Sequence, residues 1–178
     1  LFDHASQGTP IIGCEPSCLL TLRDEYPDLL KDDKSKLVAA NTYMIDEFLW
    51  KLHDNNELDL TFKDTPRKIL FHGHCHQKAI VGTQCSTQIL SLPPGHQVEL
   101  IDAGCCGMAG AFGYEKEHFD LSMQIGGLKL FPAIEAKNQE WDIAVMGISC
   151  RQQIENGTGK RPEHLAEILR QAILTNPS

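Results

Sequence analysis

The sequence predicts an α/β fold in which a mostly parallel sheet is flanked by helices in a Rossmann-like, three-layer arrangement. Four short apolar runs have the length and composition of buried strands, and they cover residues 9–13, 67–73, 97–102 and 141–147. Each run is followed by a segment with helical periodicity. Alternating strands and helices are typical of parallel sheets that carry helices on both faces.

The first third of the chain is expected to contain two helices after its strand. Pro16 suits the first turn of one helix, which Pro27 interrupts, and Ser35 is a candidate cap for the next. The apolar stripe of that second helix consists of Val38, Ile45, Leu49 and Leu52. Residues 53–66 are polar and are expected to form a connection. This third of the chain therefore supplies one strand.

The remaining elements repeat the strand–helix pattern three times. Helices are expected over 77–92, through 119–131, over 151–157 and over 161–174. Gly126 and Gly127 weaken the long helix, Pro132 kinks or ends it, and Gly157 stops the short one. These helices would lie on the faces of the sheet.

Cysteines are concentrated at the ends of the predicted strands. Six of the seven follow a strand, namely Cys14, Cys18, Cys75, Cys105, Cys106 and Cys150, whereas Cys85 lies inside a predicted helix. Loops that follow parallel strands share the carboxyl edge of the sheet, where ligands bind. We therefore expect these six thiols to meet at one edge.

The cysteine pattern favours metal or redox chemistry over a disulfide scaffold. Seven is an odd number, and a bond between the adjacent Cys105 and Cys106 would strain the peptide that joins them. Thiolates suit zinc or an iron–sulfur cluster, and the spacing does not match the paired CxxC motifs of a zinc ribbon. Three possibilities stay open on the residues alone: a cluster, a metal-free thiol/disulfide redox module and a structural zinc-binding interaction domain.

Three histidines surround the second strand end. His72, His74 and His76 would share one face, with Cys75 on the other. His74 or His76 could ligate a metal or move a proton, although hydrogen bonding within the loop is the simpler role.

Several charged side chains are weaker candidates for a role at the site. Arg151 and Lys78 could stabilise thiolates or simply be exposed, and Glu15 could accept a proton or cap a helix. His118 and His164 are expected on solvated helix surfaces.

Composition excludes several function classes. The formal net charge of −8 leaves no electrostatic footprint for nucleic acid. No apolar run approaches the ~20 residues that span a bilayer, and the start, LFDHASQGTP, lacks the apolar segment of an export signal. The glycine-rich run GMAGAFG lacks the spacing of a dinucleotide fingerprint. We expect a cytoplasmic chain without a nucleotide of its own.

Four motifs, GCEPSC, HGHCHQKA, DAGCCGMAGAFGYE and GISCRQQI, resemble the cysteine-rich CCG domain family. That domain occurs in heterodisulfide reductase, in the iron–sulfur subunit of glycolate oxidase and in anaerobic glycerol-3-phosphate dehydrogenase. It also occurs at the C-terminus of FAD-linked oxidases of the D-lactate and D-2-hydroxyglutarate dehydrogenase type, whose motifs are the most similar.

The resemblance implies a single cysteine-rich domain over 1–178, an excised C-terminal piece in which 1–64 ends a first CCG unit and 65–178 forms a second. It implies metal ligation by Cys75, Cys105, Cys106 and Cys150, with Cys18 as a further candidate. The family's fifth cysteine position falls on Gln153, so the implied 4Fe-4S-type cluster has an uncertain form.

The same resemblance implies an oxidoreductase whose FAD lies upstream. The chain would pass electrons from flavin to a quinone or another acceptor, working with upstream FAD-binding and ferredoxin-like domains. In the full protein this could take place at the inner face of the membrane.

Overall fold

The computed structural model describes residues 1–174 and confirms the α/β class, with a mostly parallel sheet between helices. The strands β1 to β6 are Ile11–Gly13, Thr42–Met44, Arg67–His72, His96–Leu100, Trp141–Val145 and Glu163–His164. The helices α1 to α10 are Phe2–Ala5, Pro16–Leu19, Glu25–Leu30, Asp33–Ala40, Ile45–Asp54, Cys75–Ile80, Gln84–Leu90, Phe119–Glu135, Ile148–Thr158 and Leu165–Ala172. Short 3-10 turns cover Leu20–Leu22 and Phe112–Tyr114.

The main sheet contains four parallel strands in the order β4-β3-β5-β6. Strand β3 lies between β4 and β5, so the loops that follow these three strands are neighbours at the carboxyl edge. At the opposite edge, Arg67 of β3 bonds Asp142 at 2.8 Å and Glu163 at 2.9 Å, which ties β3, β5 and β6 together.

Alternate residues of the central strands pack into two separate cores, one on each face. Ile69 and Phe71 of β3 face α7 and α10, while Leu70 faces α8 and α9. This alternation is what a strand covered on both faces requires. The fold therefore has the three layers that the sequence predicts.

A second, two-stranded parallel sheet corrects the prediction of one helix after Ser35. Residues 42–44 form β2, which pairs with β1 in the register Ile12↔Tyr43, and the apolar stripe is split between α4 and α5. Thr42 and Met44 of β2 are buried. Pairing with β1 therefore overrides the helical periodicity of the sequence. The cap of α4 is Asp32, whose carboxylate accepts a bond from the Ser35 N–H.

The predicted helices at 16–30 and 77–92 are each divided in the structure. The first is interrupted before Pro27, which lies in the first turn of α3, where a missing N–H is harmless. The second is divided at Gly82, whose φ of +74° lets the chain turn between α6 and α7.

Glycine and proline act differently from the prediction in the second half of the chain. Helix α8 continues through Gly126, Gly127 and Pro132 to Glu135. Gly126 and Gly157 both lie against the ring of Phe131, so they permit close packing of α8 on α9. Helix α9 ends instead at Gly159, whose φ is +67°.

The C-terminal helix is shorter than the predicted 161–174. Residues 163–164 form the edge strand β6 beside β5, and α10 begins at Leu165. The C-terminal end of α10 contacts the polar connection 53–66, because Phe62 forms an antiparallel bridge with Ile173. Within residues 1–174, no helix is both long enough and apolar enough to cross a membrane.

Candidate metal centre

Four cysteines converge at the carboxyl edge of the three neighbouring strands. Cys75 begins α6 directly after β3, Cys105 and Cys106 follow β4, and Cys150 lies in the first turn of α9 after β5. The order β4-β3-β5 places these loops side by side. Cys75 and Cys150 are far apart in the sequence, and the strand order brings their loops to the same edge.

The four thiols form a continuous row of contacts. Cys75, Cys105 and Cys106 line one cavity, and Cys106 packs in the same buried cluster as Cys150. Burial increases along the row: Cys75 is exposed, Cys105 is half-buried, and Cys106 and Cys150 are 3% and 1% exposed. All four are free thiols. One end of the row is open to solvent and the other lies in the core.

The contacts separate the thiols into two pairs of different acidity. Hydrogen bonds from Cys106 and Cys75, followed by backbone N–H groups, hold the pKa of Cys105 far below its usual value. The contact with Cys106, and the nearby His72, lower the pKa of Cys150 despite its burial. Conversely, the contacts that Cys75 and Cys106 make with these thiolates raise the pKa of both. Within the row, the pKa is therefore lowered for Cys105 and Cys150 and raised for Cys75 and Cys106.

A cavity of about 190 Å³ opens onto the exposed end of the row. Its lining includes His74, Cys75, Cys105, Cys106, Tyr114 and Ser149. Cys14 and Cys18 are exposed and do not line it, although Ser17, next to Cys18, does. The structure thus brings together four of the five predicted ligands and leaves Cys18 apart. Cys85, on α7, lies elsewhere.

The loop that carries Cys105 is fixed by contacts that sequence reasoning did not identify. Lys78, one turn after Cys75, donates to the carbonyl oxygens of Ala103 and Gly104 at 2.7 and 2.8 Å. The N–H of Gly107 donates to the Cys105 sulfur at 3.3 Å. Lys78 therefore holds the cysteine loop through its backbone. Cys75 and Lys78 are three residues apart on one helix, and this spacing is the signal in the sequence that could have identified Lys78.

Gln153 occupies the fifth cysteine position of the resemblance and is fully buried. Its Nε2 donates to the carbonyl and hydroxyl oxygens of Ser122 at 2.9 and 2.8 Å. Among the described residues, its Oε1 has no hydrogen-bond partner. At this position the side chain joins α9 to α8.

The three histidines do not share one face, which corrects the predicted alternation. His72 is buried in β3, His74 caps α6 by accepting a bond from the His76 N–H, and His76 lies on α6. The strand ends at His72, so the alternation of side chains ends there too. His74 Nε2 lies 3.5 Å from the Ser149 hydroxyl, whereas His76 Nε2 is 3.8 Å from the Glu25 carboxylate.

The charged candidates near the strand ends have structural partners. Glu15 accepts bonds from the Ile148 N–H at 2.9 Å and the Ser17 hydroxyl at 2.8 Å, so it caps α9. Arg151 lies 3.4 Å from Glu167 and lines a separate cavity. The two remaining histidines are also engaged, since His118 stacks on Phe112 and His164 caps α10. These side chains support the edge of the sheet without lining the cysteine cavity.

A buried polar network anchors the helix that carries Cys75. Gln77 donates from Nε2 to Asp46 Oδ2 at 3.2 Å, and the Ser86 hydroxyl donates to the same oxygen at 2.5 Å. All three side chains are at most 1% exposed. Burial raises the pKa of Asp46 against the opposing effect of the Ser86 bond. The network links α5, α6 and α7.

Replacing Asp46 with asparagine should change how stability depends on pH. An acid whose pKa is raised on folding contributes its full stability below its unfolded pKa of about 3.9 and loses it as pH rises through the folded value. The free energy of unfolding of the wild type should therefore fall relative to Asp46→Asn as pH increases from 4 to 8. Urea unfolding across that range measures the difference.

The exposed Asp54, on the same helix, provides the matched control for this substitution. Asp54→Asn should stay within about 0.5 kcal/mol of the wild type at every pH. Parallel stability curves for Asp46→Asn and the wild type would show that the Asp46 carboxyl titrates equally in both states.

The donor set fits a soft metal or a cluster. Four thiols, two of them favoured as thiolates, are the ligand chemistry of zinc and of iron–sulfur clusters, and they do not suit calcium or magnesium. The cavity beside Cys75 gives a bound group access to solvent.

Comparison with known proteins connects the chain to oxidoreductases. Over 168 residues it is 33% identical to a component of anaerobic glycerol-3-phosphate dehydrogenase from Escherichia coli K12, and the match spans 94% of this chain and 41% of that protein. Over 170 residues it is 29% identical to D-2-hydroxyglutarate dehydrogenase of Pantoea ananatis and 26% identical to that of E. coli K12. Those matches span 95% of this chain and 16% of either enzyme.

The matches place the chain among relatives of dehydrogenases. No family model and no solved structure matches it. The chain spans less than half the length of each of these relatives, which extend well beyond the matched region. Identity is higher to the glycerol-3-phosphate dehydrogenase component than to the hydroxyglutarate enzymes, so overall identity does not support the expected greater similarity to FAD-linked oxidases.

Proposed function

We propose that this chain is an iron–sulfur electron-transfer domain whose cluster is held by Cys75, Cys105, Cys106 and Cys150. The single observation that carries the proposal is the convergence of these four thiols in one row at the carboxyl edge of β4, β3 and β5. Cys18 stays a candidate ligand from the resemblance.

The residues of the chain prepare this site before anything binds. Lys78 and Gly107 fix the loop of the adjacent cysteines, and His74 caps the helix that begins with Cys75. The Cys105 and Cys150 thiols are already favoured in the deprotonated form that metals require. When bound, the cluster would accept and release single electrons.

We place the domain in an FAD-linked 2-hydroxy-acid dehydrogenase, with flavin bound in another part of the protein. The names of the relatives support a dehydrogenase, and the resemblance supplies FAD, a ferredoxin-like domain and an acceptor such as a quinone. D-2-hydroxyglutarate and glycerol-3-phosphate, from the names of the relatives, are the first substrates to test with the longer protein.

Anaerobic reconstitution with ferrous iron and sulfide tests the proposal. We expect about four iron atoms and equimolar sulfide per chain, visible absorption that bleaches with dithionite, and an EPR signal in one of the two oxidation states. Stoichiometric zinc with no redox response would instead favour a structural site. Reconstituted protein that retains neither iron nor zinc contradicts any metal centre.

A metal-free thiol redox module is the second candidate, and one contact favours it. The exposed Cys75 interacts with the low-pKa thiol of Cys105, and both border the open cavity. Cys75 and Cys105 could form a disulfide with each other. The oxidant would be a disulfide of a partner, which would be reduced to two thiols as the Cys75–Cys105 bond forms. Peptide mass spectrometry after alkylation would then show Cys75–Cys105 cross-linking that is reversed by dithiothreitol, in protein free of metal.

A further inference from the structure

The side chain of His72 is the most conspicuous buried polar group that the thiol row leaves unexplained. It is the last residue of β3 and is 0% exposed. Among residues 1–174, neither ring nitrogen has a hydrogen-bond partner. A buried polar side chain without partners is expensive, so such groups in a stable fold call for an explanation.

The position of His72 points to the cysteine site. The alternation of β3 directs it to the same face as Leu70, where Val145 and Cys150 also pack. His72 pairs directly with Val145 across β3 and β5, and Val145 packs in the same buried cluster as Cys150. His72 therefore lies beneath the buried end of the thiol row, opposite the cavity.

Resting on the proposed function, we propose that His72 is a positioning residue whose ring N–H, unpaired in this structure, donates a hydrogen bond to the sulfur of Cys150 when the cluster is bound. Neutral imidazole carries one N–H donor, and the sulfur of a thiolate is an acceptor. Hydrogen bonds to ligand sulfur stabilise the added negative charge of the reduced cluster. His72 thus sets the reduction potential and the orientation of the ligand that is most deeply buried.

The other side chains that the sequence suggested for such a role have hydrogen-bond or charged partners of their own. His74 is engaged as the cap of α6, and His76 faces Glu25. Lys78 is committed to two backbone carbonyls. In the described structure, His72 is the unpaired histidine on the sheet face where Cys150 packs.

The test compares midpoint potentials of reconstituted wild type, His72→Leu and His72→Gln, measured by redox titration with EPR detection. Leucine removes the donor, while glutamine keeps an N–H. We expect His72→Leu to retain iron and to shift the potential down by about 59 mV, which is tenfold in the equilibrium constant of a one-electron couple. His72→Gln should recover at least half of that shift.

Two further variants keep the test decisive. His96→Leu removes a half-buried histidine at the amino end of β4, far from the cysteines, and should leave the potential unchanged. If His72→Leu does not fold, it is replaced in the test by His72→Phe, which keeps a planar ring without a donor.

Each possible result has a distinct meaning. Equal potentials in wild type and His72→Leu overturn the role of His72 while the cluster itself stands. Loss of iron from folded His72→Leu also overturns it, because His72 would then be a ligand. If the wild type holds no iron, the proposed function and this inference fail together.

Discussion

Replacing Cys106 with serine should reduce the iron retained after reconstitution from about four atoms per chain to less than about one. Cys106 lies within the row, between Cys105 on one side and Cys150 on the other. It is also 3% exposed, so no solvent-borne ligand can easily replace it. Serine has nearly the same shape but offers an oxygen, which is a poor ligand for soft metal centres. Iron and sulfide assays after gel filtration, with visible absorption, measure the loss.

The matched control is Cys85→Ser, the same chemical change at a half-buried thiol of α7. That variant should retain as much iron as the wild type. Thermal unfolding of both apo variants shows whether the fold persists. Full iron retention by a folded Cys106→Ser protein would rule out the proposed ligand set.

A variant of Cys18 extends this comparison to the fifth candidate ligand. Cys18 is exposed and lies outside the cavity that Cys75 and Cys105 line. If four thiols suffice, Cys18→Ser protein should retain iron like Cys85→Ser. The iron content of this one variant therefore decides whether Cys18 is a ligand.

Sequence reasoning could predict the site because it depends on topology more than on local detail. Three cysteine motifs follow β3, β4 and β5, and parallel strands place the loops after them at one edge. The prediction needs neither the exact strand ends nor the helix boundaries. That is why errors of several residues in those boundaries do not move Cys75 or Cys150 away from the site.

The same reasoning fails where a short segment pairs with a distant one. Residues 42–44 lie within a helical apolar pattern, and only the backbone of β1 makes them a strand. Residues 163–164 likewise become a strand through β5. Two or three hydrogen-bonding residues carry too little periodicity to be recognised in a sequence. The expectation that the Cys14 strand belongs to the main sheet is wrong for the same reason.

Glycines are the other source of error, because their role depends on what lies opposite. The sequence predicts that Gly126 weakens one helix and Gly157 stops another, yet both make room for the Phe131 ring. It predicts Gly82 within a helix, yet this residue turns the chain. A sequence shows that the side chain is missing, and only packing shows which neighbour needs the space.

Replacing Gly107, the glycine that follows the cysteine pair, with alanine should destabilise the fold and disrupt the site. Gly107 has a φ of +101°, which an L side chain rarely adopts. A Cβ there would collide with the carbonyl oxygen of Ser122 and approach Gln153 Nε2 to 3.0 Å. Strain and overpacking together should lower the free energy of unfolding by about 3 kcal/mol. The melting temperature of the apo protein should fall by about 6–12 °C.

Two neighbouring glycines separate the causes of this effect. Gly110 has a φ of +67° but open space around its Cβ position, so Gly110→Ala should show the strain alone, about 1 kcal/mol. Gly104, on the other side of the cysteine pair, has open space and an ordinary φ, and alanine there should change stability by less than about 0.5 kcal/mol. Because the Gly107 N–H donates to the Cys105 sulfur, Gly107→Ala should also retain less iron than Gly104→Ala. Equal melting temperatures for Gly107→Ala and Gly104→Ala would mean that the loop is free to move away from α8, and that the cysteine pair is not held in place before it binds.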